Sequence, residues 1–159
     1  MSDPLATYLH DHLAGSNFAI QLLESLRDED RGEELSGLAV ALLAEVKEDR
    51  EALQRIIGGV GKTHLDLKDA TGWLAEKASR LKLQRDSGGI GTFEALETLT
   101  LGILAKLALW RVLPVIAKVD TRICETDFDK LTARAQEQYA RVEQYRMQFA
   151  RTAFKAVSK

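Results

Sequence analysis

Apolar residues recur at spacings of three and four through four long stretches of the chain, which is the pattern of helices with one buried face. In the first, Leu5, Leu9, His12, Ser16, Ala19, Leu23 and Leu26 share a stripe, and Asp3 followed by Pro4 supplies an N-cap with proline at the first helical position. The second stripe runs Leu35, Leu38, Leu42, Glu45 or Val46, Asp49, Leu53 and Ile56, with Gly58 and Gly59 expected to close the helix. Thr92 is the expected cap of a helix carrying Phe93, Leu96, Ile103 and Leu107, with Thr100 a polar break and Pro114 predicted to kink or stop it. Thr126 with Asp129 resembles a capping box ahead of Phe128, Leu131, Ala135, Gln138, Val142, Tyr145 and Phe149.

Between the second and third of these stretches lies an amphipathic segment with Trp73, Leu74, Ala78 and Leu81, closed by Ser87, Gly88, Gly89, Ile90 and Gly91. The pattern therefore predicts helices over about 4–26, 33–57, 67–83, 93–118 and 127–156 within a single domain, 1–159. The short charged turn over Arg27 to Glu34 makes the first two helices antiparallel neighbours. If the segment from Gly59 to Gly91 returns along the bundle, the fold is an all-α four-helix bundle with one long crossover containing an additional helix. A plain up-and-down arrangement of five helices is compatible with the same pattern.

Each stripe is interrupted by polar groups. His12 and Ser16 fall on the first, Glu45 and Asp49 on the second, Glu97 in line with Leu101 and Leu104 on the third, and Gln138 between Ala135 and Val142 on the last. A buried charge is costly unless it is paired or bound to metal, so these groups are expected to meet one another across the core or to hold a ligand. His12, Glu45, Asp49 and Glu97 are the candidate metal ligands, and a satisfied polar network without metal is the favoured reading of the same residues. His10 lies roughly 160° from His12 around the helix and is expected to be exposed.

Composition agrees with an all-helical domain. The chain has 159 residues, 45% of them hydrophobic and 29% charged, enough to form a core without disulfides or structural metal. The formal net charge of −2 supplies no basic field for phosphate neutralisation, which argues against nucleic acid as a partner. Acidic residues concentrate between Glu24 and Glu51 and basic ones between Arg134 and Lys159, read as solvated helix faces. The segment Leu99 to Val119 is the most apolar, but Lys106, Arg111, Lys118 and Pro114 interrupt it, so it is expected to be the most buried helix and not a membrane span. Cys124 stands alone beside Ile123, expected to be a small buried hydrophobe, and with no secretory signal at the N-terminus a reducing cytoplasm is the expected location.

Two tempting motifs fail on their physics. Gly58-Gly59-Val60-Gly61-Lys62-Thr63 resembles the tail of a phosphate-binding loop, yet Ile56 stands where the first glycine is required and an amphipathic helix precedes it where a buried strand is needed. No spacing supports a Ser-His-Asp or Cys-His pair, so nucleophilic catalysis is not expected. Trp73, Trp110, Phe93, Tyr139, Tyr145 and Phe149 read as packing residues between the crossover helix and the bundle.

The order of two paired helices, a long crossover and two further paired helices resembles the ferritin-like superfamily. Tyr8-Leu9-His10-Asp11-His12-Leu13-Ala14-Gly15-Ser16 and Gly91-Thr92-Phe93-Glu94-Ala95-Leu96-Glu97 resemble stretches of small uncharacterised bacterial members. Metal-binding members place a Glu on each of two helices and Glu-x-x-His on the other two. Here the equivalent stretches read Glu45-Val46-Lys47-Glu48 and Glu94-Ala95-Leu96-Glu97, and the last helix offers Glu137 and Gln138 without an imidazole. The resulting expectation is a non-enzymatic bundle that acts by association as a homodimer, with no cofactor, no nucleic acid and no membrane partner, in a stress-related role that the resemblance implies. The alternative is a metal-binding protein, an oxidase or metal carrier, holding iron or another divalent metal.

Overall fold

The computed structural model describes residues 2–29, 31–61, 76 and 89–155. Four helices and no strand occur among the described residues: α1, Pro4–Asp28; α2, Glu33–Val60; α3, Ile90–Ile116; and α4, Phe128–Ala153. The helix expected over 67–83, with Trp73, lies outside them.

Local chemistry sets the ends. Asp3 caps α1, its Oδ1 accepting from the backbone N–H of Leu5 at 3.0 Å and of Ala6 at 3.4 Å, with Pro4 beginning the helix. Helix α2 runs past Gly58 and Gly59, which were expected to end it, and stops at Gly61, whose φ of 109° is open only to a residue without a Cβ. Gly59 is needed for a different reason: a Cβ there would lie 2.6 Å from the carbonyl oxygen of Arg122. Helix α3 begins two residues before the expected cap, Thr92, because Gly89 at φ 88° turns the chain into it, and it ends at Ile116, two residues past Pro114. The cap of α4 is Asp127, accepting from the N–H of Lys130 at 3.0 Å, while the Thr126 hydroxyl turns back to the carbonyl of Cys124.

Helix α1 packs against α2 and α3, and α4 packs against α3 and α2. Cross-helix partners fix the directions. Asp49 and Glu45 of α2 meet Arg134 and Arg141 of α4, and Glu97 of α3 meets Arg146 of α4, so both pairs are antiparallel. Leu9 of α1 shares a cluster with Ile56 of α2 and Trp110 of α3, whereas Leu23 clusters with Ala39 and Leu42 of α2 and with Leu96 of α3, so α1 is antiparallel to both. Helices α2 and α3 consequently run parallel on one diagonal. Gly61 lies at the bundle end where Arg122 contacts Asp3 and the Val60 carbonyl, and Gly89 lies at the other, beside Thr152. The chain therefore leaves α2 and enters α3 at opposite ends of the bundle, which both a long crossover and a five-helix up-and-down order require.

The core has two apolar halves. One holds Phe18, Leu23, Leu42, Val46, Leu96, Leu99, Ile103 and Val142; the other holds Leu9, Leu53, Ile56, Leu107, Trp110, Leu113 and Ala135. The residues that separate these sets along each helix are polar: Asp49 on α2, Lys106 on α3 and Gln138 on α4.

Of two expectations about burial, one holds and one is corrected. Helix α3 has the largest buried share of the four helices, as expected, yet it is not buried all round: only 39% of its most apolar stretch is buried, and the helix is long and apolar enough to cross a membrane by length and composition. Leu101, Leu104 and Val115 are exposed by 61%, 41% and 61%. Cys124 is exposed instead of buried, because its neighbour Ile123 takes the inward position in the loop.

Candidate functional site

The charged layer at mid-bundle is built around Asp49, which is only 3% exposed. A carboxylate at that depth needs compensation on both oxygens. Its Oδ2 accepts from Lys106 Nζ at 2.6 Å and from Gln138 Nε2 at 3.2 Å, and its Oδ1 accepts from Arg134 Nε at 2.8 Å. Gln138, fully buried, uses its whole amide: Oε1 accepts from Lys106, and Nε2 donates to Asp49 and to Glu45 Oε2 at 3.0 Å. Arg134 reaches outward to Glu48 at 2.7 Å, and Arg141 pairs with Glu45 at 2.5 Å. The acidic stretch of α2 and the basic stretch of α4 thus face each other, and the innermost of these charges are not solvated.

Burial pushes the Lys106 ammonium below its usual pKa, and the facing Asp49 carboxylate opposes that shift. Burial also works against the charge of Arg134, but Asp49 and Glu48 outweigh it and hold the guanidinium above its usual range.

The four candidate ligands do not converge. Asp49 and Glu45 share the layer through Gln138, each already facing cations. Glu97 is exposed on α3 and pairs with Arg146 at 3.1 Å, which corrects the expectation that it points inward. His12 is half-buried against the Tyr8 ring, edge-on at 4.8 Å between centroids, and burial lowers its pKa. Among the described residues no three of His, Cys, Asp and Glu gather as a metal-binding group. His10, expected in solvent, is half-buried, and its Nε2 has no hydrogen-bond partner among the described residues.

The cations Lys106, Arg134 and Arg141 complete the charged layer, and the sequence pattern did not single them out as its members. The signal was present: Lys106 is three residues beyond Ile103 and four before Trp110, and Arg134 and Arg141 stand four before and three after Gln138.

Beside the charged layer, α1, α2 and α3 line a partly open cavity of about 400 Å³. Its walls are mostly apolar, including Val46, Leu53, Leu99, Ile103, Leu109 and Trp110, while Tyr8, His12, Arg50, Asp49 and Lys106 supply polar groups. Of the aromatic residues, Trp110 packs against Phe128 with centroids 6.5 Å apart, and Phe93 meets Phe154 edge-on at 5.2 Å, so both serve the α3–α4 contact and its ends.

No family model, no curated protein and no solved structure matches this chain.

Proposed function

We propose that the protein is a non-catalytic, ferritin-like helical bundle that acts by association, pairing with a second copy through the outer face of α3. One observation carries this reading. Leu101, Leu104, Ala108 and Val115 are all exposed and follow one another at spacings of three, four and seven, a seam of the kind by which paired helices pack. Glu97 and Arg111 lie on the same stripe, seven residues to either side of Leu104, and both are exposed. A two-fold axis beside Leu104 with the helices antiparallel sets Glu97, which also holds Arg146, against Arg111 of the second copy, twice over, so that matched charges flank Leu101, Leu104 and Ala108.

The ferritin-like assignment is supported by the connection that joins opposite ends of the bundle and leaves α2 and α3 parallel. The stress-related role is what that likeness implies, and the lone Cys124 suits a reducing cytoplasm. The alternative, a metal-dependent oxidase or carrier, has against it that the carboxylates nominated as ligands are committed to Lys106, Arg134, Arg141 and Arg146.

Sedimentation velocity of the wild type and of Leu101→Lys/Leu104→Lys tests the reading. A dimer that the double substitution converts to a folded monomer is expected. A wild-type monomer at micromolar concentration, or one that floats with lipid vesicles, overturns it. Stoichiometric iron in the purified protein, lost in Glu97→Ala, would establish the metal reading in its place.

A further inference from the structure

We infer that the cavity between α1, α2 and α3 is a binding site for an apolar monocarboxylate, its hydrocarbon body against Leu99, Ile103 and Leu109 and its carboxylate at Arg50 and Lys106. This goes beyond association and does not depend on it. The volume of about 400 Å³ falls within the range of small-molecule sites, and the apolar walls with a few convergent polar groups are the usual composition of one.

The choice of an acid rests on the balance of donors and acceptors. The two carboxylates on the wall are Asp49, whose oxygens are already taken by Lys106, Arg134 and Gln138, and Asp11, which is exposed at the rim. Donors are in surplus. Arg50 gives Nη1 to Asn17 at 3.1 Å, but its Nε is buried without a partner among the described residues. Trp110, 1% exposed, likewise has a buried Nε1 without a partner among them. Lys106 commits two hydrogen bonds, to Asp49 and Gln138, of the three an ammonium can donate. An unmet buried donor is expensive, and an anionic acceptor answers it better than a neutral one. The half-buried His12 is held toward its neutral form by burial, so it adds no competing cation.

Binding is measured by quenching of Trp110 fluorescence with a bromine-tagged decanoate, in a Trp73→Phe background that leaves Trp110 as the sole tryptophan. Decanoate, decanol and decylammonium are then compared by calorimetry. Saturable quenching is expected, with decanoate bound about tenfold or more tightly than decanol and decylammonium weakest. Arg50→Gln is expected to reduce the preference for decanoate over decanol about tenfold while leaving the fold intact. Gly15→Phe, at a cavity-lining position where an added Cβ meets nothing within 4 Å, is expected to abolish quenching without unfolding the chain. Equal binding of acid and alcohol, absence of quenching, or full binding in Gly15→Phe each overturns the assignment. Repeating the titration with Leu101→Lys/Leu104→Lys separates this result from dimerisation, because the cavity is expected to fill in the monomer as well.

Discussion

Replacing Asp49 by Leu tests whether the charged layer is a mutual neutralisation or merely a set of neighbouring charges. Asp49 is 3% exposed, and the side chains of Lys106 and Arg134 that face it are 14% and 18% exposed. Arg134 keeps Glu48 as a partner in the variant, so the loss falls mainly on Lys106, whose ammonium remains with the Gln138 carbonyl and no carboxylate in contact. Removing one member of a buried pair costs about 3–5 kcal/mol, and the retained exposure of both cations places this case at about 3 kcal/mol. Against a total of about 5–15 kcal/mol for a domain this is a large fraction, and for a chain of this length it lowers Tm by about 6–12 °C. Urea unfolding followed by far-ultraviolet circular dichroism reads the change. The paired substitution Asp49→Leu/Lys106→Met removes both charges and is expected to recover at least about 2 kcal/mol of the loss. If Asp49→Leu stays within about 1 kcal/mol of the wild type, or the second substitution recovers nothing, the pair is not the keystone described.

Adjacent glycines in α2 should respond in opposite directions to alanine. Gly58→Ala, with nothing within 4 Å of its new Cβ, is expected to stabilise the helix by about 0.5–1 kcal/mol, whereas Gly59→Ala drives a Cβ to 2.6 Å from the Arg122 carbonyl and destabilises it in the same urea assay. Hydrogen bonds from the Arg122 side chain, then from its backbone N–H, hold the Asp120 pKa down to about 2. A carboxylate held below its unfolded value of 3.8 contributes stability at pH above that value and loses it as pH falls toward about 2. Carboxyl carbon resonances should therefore give Asp120 a midpoint near the lower figure, and Arg122→Gln should return it toward 3.8. His12 works in the same sense for a different reason: burial disfavours its charged form and lowers its pKa below 6.5, so the folded state resists the proton and stability falls as pH drops through that value. A His12 imidazole midpoint at or above 6.5 by proton resonance would contradict its half-buried setting.

Periodicity reveals those parts of the fold in which a helix has one wet and one dry face. Helices α1, α2 and α4 satisfy that condition, and Asp49 and Gln138 can be placed in the core by counting alone. Helix α3 does not. Its outer stripe of Leu101, Leu104, Ala108 and Val115 is as apolar as its inner stripe of Leu99, Ile103, Leu107 and Trp110, so the count offers no contrast by which to tell them apart, and Glu97 is assigned to the wrong side. Lys106 escapes notice for the complementary reason: a charge in an apolar run reads as an interruption until its partner on another helix is known. Gly58 and Gly59 mislead because glycine permits a helix to end without obliging it to, and only the positive φ at Gly61 marks the true stop.

The same ambiguity in α3 gives the charged layer a structural task. A helix apolar on both stripes can settle against α1 and α4 with either one inward, and the two choices differ by a rotation of roughly 135° about its axis. Hydrophobic burial discriminates weakly between them. Lys106 discriminates strongly, since turning the Leu101–Leu104 stripe inward swings the ammonium away from Asp49 and Gln138 and leaves a buried carboxylate short of a cation. The network therefore selects which apolar face enters the core and, by exclusion, which remains outside, the face proposed above as the seam of a dimer. On this reasoning Asp49→Leu/Lys106→Met separates two properties that the wild type combines. Its unfolding free energy approaches that of the parent, while α3 samples both rotations, broadening amide resonances from Leu99 to Leu113 and weakening dimerisation. A double variant with sharp α3 resonances and an undiminished dimer would show that packing alone orients the helix.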